Sequence, residues 1–313
     1  MDLRIVIKKL FKIIPGGIMV VPLILAVIIN TYIPEFFKIG GLTTSLFQNG
    51  NLVLLGLLLF LVGTQFKFFQ SMKTWSMGFT LIFLKLLVGS VVAFSVLYFF
   101  GFKGIFGMTP LVLLIALTQP NLAMYIAITL QFGHPSQLNM LPWFLLLETP
   151  LVTLLFLDIS GLIETSTRDY VSMILPFFLG VGMGYLLEEH RKVFSTMIPV
   201  VIPFFAFTVG SNFQLSDFIH SSLSGILITF LVLVSGVLIF YLLRFFSLAQ
   251  ATPGIALGST ASTSLFILPI LASLDDNRYI ELLPLITAQL ITVTVLTCIF
   301  CPIIAKLLHR HNK

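Results

Sequence analysis

Apolar runs of about twenty residues, each long enough to carry a helix across a bilayer, follow one another along nearly the whole of this chain. They lie at roughly 17–36, 50–69, 75–100, 109–131, 137–157, 171–187, 193–212, 220–246, 253–273 and 283–307, each bounded by charges or turn residues. The connections are short and leave no room for a soluble domain. Hydrophobic residues fill 58% of the 313 positions and charged residues only 9%, whereas a soluble domain carries about a quarter of its residues charged. The chain therefore reads as an all-α integral membrane protein of ten transmembrane helices, with the lipid bilayer as its main partner.

Charge placement gives the orientation. Arg4, Lys8, Lys9 and Lys12 precede the first run as in a signal peptide. No small-residue cleavage site follows, so the first run is expected to be a retained span. If the N-terminus is inside, twelve Lys and Arg fall on the inner side and four (Lys38, Lys103, Arg168 and Arg278) on the outer. That asymmetry predicts both termini in the cytoplasm. The formal charge of +5 forms no stripe or patch, so no nucleic-acid partner is expected. Cys298 and Cys301 form a Cys-x-x-Cys with no second ligand pair, and His134, His190 and His220 lack metal spacing. We expect buried, inert thiols, no metal and no cofactor.

The chain also repeats itself. FLVGTQFK at 60–67 matches FTVGSNFQ at 207–214, aligning Gly63, Thr64, Gln65 and Phe66 with Gly210, Ser211, Asn212 and Phe213. Ile115-Ala116-Leu117 and Ile255-Ala256-Leu257 each precede a polar interruption. The offsets, 147 and 140, are near half the chain. Two repeats result, 1–157 and 171–313, each with five spans. An odd number forces the halves to insert in opposite senses, an architecture of transporters with a substrate site near the midplane.

The polar residues inside the runs are few. Thr118-Gln119-Pro120-Asn121 interrupts the fourth, and Gly258-Ser259-Thr260-Ala261-Ser262-Thr263-Ser264 the ninth. Pro120 lacks an N–H, and the hydroxyl run competes for backbone bonds. Unpaired backbone at membrane depth is tolerated only where it lines a cavity or is buried in protein. Helix N-termini exposed at the breaks suit a carboxylate. Thr118, Gln119, Asn121, Ser259, Thr260, Ser262 and Thr263 are thus candidate substrate ligands, with Gln65 and Asn212 meeting substrate hydroxyls. The alternative is two kinked helices whose hydroxyls bond their own backbone.

Glu148 lies mid-run in Leu145-Leu146-Leu147-Glu148-Thr149-Pro150, and Lys85 is the other strongly ionisable residue at depth. A lone charge there costs on the order of 3 kcal/mol on insertion scales. Either the two form a structural pair, or Lys85 snorkels to an interface, or Glu148 is a proton or sodium site. Thr149 and Gln289 join Glu148 and Lys85 as ion-coupling candidates.

Ile14-Pro15-Gly16-Gly17-Ile18-Met19-Val20-Val21-Pro22-Leu23, IPFFAFTVG at 202–210, LLETP at 146–150 and PGIALGST at 253–260 resemble the bacterial 2-keto-3-deoxygluconate permeases. Thr287, Thr292, Thr297 and Pro302 fall in register in the last run. The resemblance implies a proton-coupled importer of a 2-keto-3-deoxy sugar acid in the bacterial inner membrane. It also implies kinship with the sodium/bile-acid symporters, whose panel domain packs on a core with two crossing broken helices. Two stretches depart from the family pattern: Gln119-Pro120-Asn121-Leu122-Ala123-Met124-Tyr125, and Thr263-Ser264-Leu265. A sodium-coupled symporter of another small carboxylate is the alternative. A membrane-embedded enzyme would need Asp-rich metal clusters or Ser–His sets, and a channel a repeated filter motif. Neither is found, and homo-oligomerisation stays open.

Overall fold

A computed structural model describes residues 16–66, 72–148, 166–216, 222–245, 252–261 and 277–310, with isolated positions 151, 154, 155, 158 and 264. Among them the only regular elements are helices, with two isolated backbone bridges, Ile105–Met108 inside one loop and Pro120–Thr260 between distant segments. In chain order they are α1 (Gly17–Tyr32), α2 (Gly41–Phe47), α3 (Asn51–Thr64), α4 (Met72–Phe100), α5 (Pro110–Thr118) and α6 (Leu122–Phe132). There follow α7 (Leu141–Glu148), α8 (Thr167–Leu186), α9 (Arg191–Gly210), α10 (Ser222–Phe245), α11 (Thr252–Ala256) and α12 (Asn277–Arg310).

A helix lies in each of the ten predicted intervals. Among the described residues four stretches are long and apolar enough to cross a membrane alone: Ser76–Phe100, Glu188–Gly210, Leu223–Phe245 and Leu282–His309. The bent pair α2 and α3, at 59° to one another, makes a fifth candidate. α4 shows how such a helix divides its surface. Phe79, Phe83, Leu87 and Val91, four residues apart, are exposed. Leu81 and Lys85, on another face at the same spacing, are fully buried. An exposed apolar stripe on a helix of spanning length suits contact with lipid.

Two groups of helices form. α1, α3, α8 and α9 pack together through the pairs α1–α9, α3–α8 and α3–α9. In the second group α4 packs on α5 and α7, and α10 on α11 and α12. α6 lies against α11 and α12 and touches the first group through α1 and α9.

The contacts of the two halves mirror one another. A Cβ at Gly63 would overlap the backbone of α8 at Phe177, and one at Gly210 would overlap the backbone of α1 at Leu23. Each glycine thus lets its helix approach the first long helix of the other half, as small residues do between membrane helices. Thr64 donates to Leu61 O and Ser211 to Thr208 O, each three residues back. Gln65, just past α3, donates from Nε2 to Arg191 O, where α9 starts. Asn212, just past α9, donates from Nδ2 to Gln48 O, just ahead of α3.

Candidate functional site

α5 starts at Pro110 behind Thr109, whose hydroxyl accepts from Val112 N. It stops at Thr118 because the residue before a proline is driven out of the helical region; Gln119 is extended. Asn121 is extended too and caps α6, its Oδ1 accepting from Met124 N at 2.9 Å. The other interruption follows α11, where the chain turns at Gly258 and extends through Thr260. Gly258 packs on Gly236 of α10, where an added Cβ on Gly236 would overlap the Gly258 backbone.

The two extended segments cross antiparallel at Pro120 and Thr260. Asn121 N donates to Ser259 O at 3.2 Å, and Ala261 N to Gln119 O at 3.1 Å. Each break thereby supplies the backbone partners the other needs at membrane depth. Hydroxyls complete the joint. Thr260 Oγ1 donates to Ala116 O at 2.9 Å, and Thr260 N donates to Thr297 Oγ1 of α12 at 3.1 Å. Thr118 Oγ1 donates to Leu114 O at 2.6 Å. Asn121 Nδ2 lies 3.5 Å from both Thr260 O and Cys298 Sγ, and Ser259 Oγ lies 3.4 Å from Thr297 Oγ1. Thr118, Gln119, Asn121, Ser259 and Thr260 are all buried.

At the breaks the N–H groups of Asn121, Met124, Thr260 and Ala261 have protein acceptors, so these four are not free for a carboxylate. One expectation is corrected outright: Lys85 does not snorkel. It is fully buried, and its Nζ donates to Leu257 O at 2.6 Å, just before Gly258. There it meets the carbonyl end of α11. Among the described residues no carboxylate pairs with it. Glu148 ends α7, but its side chain, like Thr149, Ser262 and Thr263, lies outside the described residues.

Gln65 and Asn212 bond to helix ends rather than to the residues of the crossing. They sit at opposite ends of the antiparallel pair α3 and α9, separated by roughly the 14-residue length of α3, about 20 Å. Their amides hold backbone carbonyls, because a helix end leaves such groups without intrahelical partners. Gln289 bridges Gly107 O at 2.8 Å and Ser224 Oγ at 2.6 Å, while its Oε1 has no hydrogen-bond partner among the described residues.

The thiols expected to be inert packing are part of the joint. Cys298 touches Asn121 and Ser259, one from each break. Cys301 Sγ donates to Ile255 O at 3.2 Å. Both are buried and unbridged. The spacing of Thr294, Thr297, Cys298 and Cys301 along one helical face carried that signal.

Apolar helices enclosing a buried crossing of two interrupted segments place this chain among membrane transporters rather than enzymes, and the comparisons with known proteins agree. The 2-keto-3-deoxygluconate permease family (KdgT) matches residues 8–313, and the chain belongs to it. It is 31% identical over 306 residues to 2-keto-3-deoxygluconate permease 1 of Salmonella typhimurium, covering 96% of each chain. It is 28% identical to the 2-keto-3-deoxygluconate permease of Bacillus subtilis, covering 95% of this chain and 92% of that one. The Escherichia coli O157:H7 permease is also 28% identical, with 98% and 95% covered. No solved structure gives a significant match.

Proposed function

We propose that this chain is a secondary active transporter that imports 2-keto-3-deoxygluconate, or a closely related keto sugar acid, in symport with protons. The observation that carries this reading is the crossing at Pro120 and Thr260 in a chain of the permease family. The relatives' names supply the substrate.

The architecture that fits is ten spans in two inverted five-helix repeats, 1–157 and 171–313, in the bacterial inner membrane with both termini cytoplasmic. The mirrored contacts of Gly63 and Gly210, and of Gln65 and Asn212, support it. In that frame α1, α3, α8 and α9 form the panel and the remaining helices the core. The core moves against the panel so that the crossing faces each side in turn. Thr118, Gln119, Asn121, Ser259 and Thr260, with Cys298, line the place a substrate reaches. The bonds they now exchange must open in part to admit it.

Purified protein in liposomes should accumulate labelled 2-keto-3-deoxygluconate when the outside is made acidic, and a sodium gradient without a pH gradient should drive none. Accumulation driven by sodium alone would transfer the reading to a sodium symporter. Equilibration without accumulation under either gradient would make the protein a facilitator.

A further inference from the structure

Lys85 is the one charged side chain that is buried among the described residues, and it lies beside the second break. Its hydrogen bond to Leu257 O is one that a neutral amine and an ammonium donate alike. Few titratable groups face it. α5 and the 135–140 turn, both packed on α4, carry none. On α10 Tyr241 and Arg244 are exposed. On α12 the Cys301 thiol is within electrostatic reach, one turn from Cys298. On α7 the titratable residue is Glu148, whose side chain is outside the described residues.

Among the described residues no counter-charge meets Lys85, and an ammonium so placed at this depth is costly. A carboxylate at the crossing is costly as well, because the N–H groups of Asn121, Thr260 and Ala261 already have acceptors. Each charge removes the other's penalty, so the two arrivals are linked, and linkage is reciprocal. Taking the proposed substrate class as given, the geometry points to Lys85 as the proton carrier of the transport cycle and the cation that faces the substrate carboxylate. On loading, the amine nitrogen forms a new N–H bond to a proton from the adjacent aqueous phase while the carboxylate stays ionised. On release that bond breaks, and the proton leaves on the same side as the anion. One proton moves with each monoanion, and the exchange carries no net charge.

Calorimetric binding of 2-keto-3-deoxygluconate to the full-length protein, in two buffers of different ionisation enthalpy, tests this. The wild-type protein should take up about one proton per ligand, with affinity falling about tenfold per pH unit on the alkaline side. Lys85→Arg keeps the cation without an exchangeable proton. It should bind with no proton uptake and a flat pH profile, and should exchange substrate without accumulating it. Lys85→His should move the pH at which uptake is half-maximal downward, which a purely structural lysine would not do. Glu148→Gln should keep the proton uptake. Binding without proton uptake in the wild type, uptake unchanged in Lys85→Arg, or uptake lost in Glu148→Gln would each overturn the role of Lys85 and leave the substrate standing. A folded protein that binds no sugar acid would overturn both.

Discussion

Asn121 does three things at once. Its Oδ1 caps α6, its Nδ2 reaches Thr260 O across the crossing, and the same nitrogen lies against Cys298. Losing an N-cap costs about 1–2 kcal/mol, and a stranded buried carbonyl adds to it. Asn121→Ala should therefore lower stability by about 2 kcal/mol in thermal denaturation of the purified protein. Asn121→Ser retains a capping oxygen and should recover roughly half of that loss. Equal melting of wild type and Asn121→Ala would show that α6 starts here for another reason. The interruption itself was legible from Pro120. What Asn121 holds was not, because Thr260 lies 139 residues away.

At the scale of elements, the mirrored glycines decide how closely helices of opposite halves pack. An added methyl at Gly63 or Gly210 meets backbone, which cannot rotate aside. Overpacking of this kind costs typically about 1–3 kcal/mol. Gly63→Ala and Gly210→Ala should each fall in that range, read as lost melting temperature and lost monodisperse yield. Gly182 on α8 has open space where a Cβ would stand. Gly182→Ala should be neutral or stabilising by up to about 1 kcal/mol through helix propensity. A neutral Gly63→Ala would mean that α3 and α8 are not held at the separation described.

For the whole molecule, the testable statement is orientation. The asymmetry of twelve basic residues against four predicts Lys103 outside and Lys192 inside. Both side chains are exposed, while the native thiols are buried. A cysteine at Lys103 should react with an impermeant maleimide on intact cells, and one at Lys192 only after the membrane is opened. External labelling at Lys192 would break the odd-numbered halves and with them the inverted repeat. The mirrored carbonyl contacts of Gln65 and Asn212 belong to this scale as well. They tie the end of α3 to the start of α9 and the end of α9 to the segment ahead of α3.

What the sequence determined by itself is everything that depends on local composition and spacing. Apolar run length places the helices, because a bilayer core about 30 Å thick requires it. Pro120 and the glycine and hydroxyl run at 258–264 place the interruptions, because they remove or compete for helical hydrogen bonds. The internal match of Gly63 with Gly210 marks two positions where helices approach backbone to backbone. Only the tertiary structure decided what each polar group meets. Lys85 turned out to hold Leu257 O, 172 residues away. Gln65 and Asn212 proved to secure helix ends at opposite extremities, and Cys298 to stand between the two breaks. Periodicity fixes the face of a helix on which a side chain sits. Its neighbour depends on which distant helix crosses that face, and one-dimensional spacing does not contain that information.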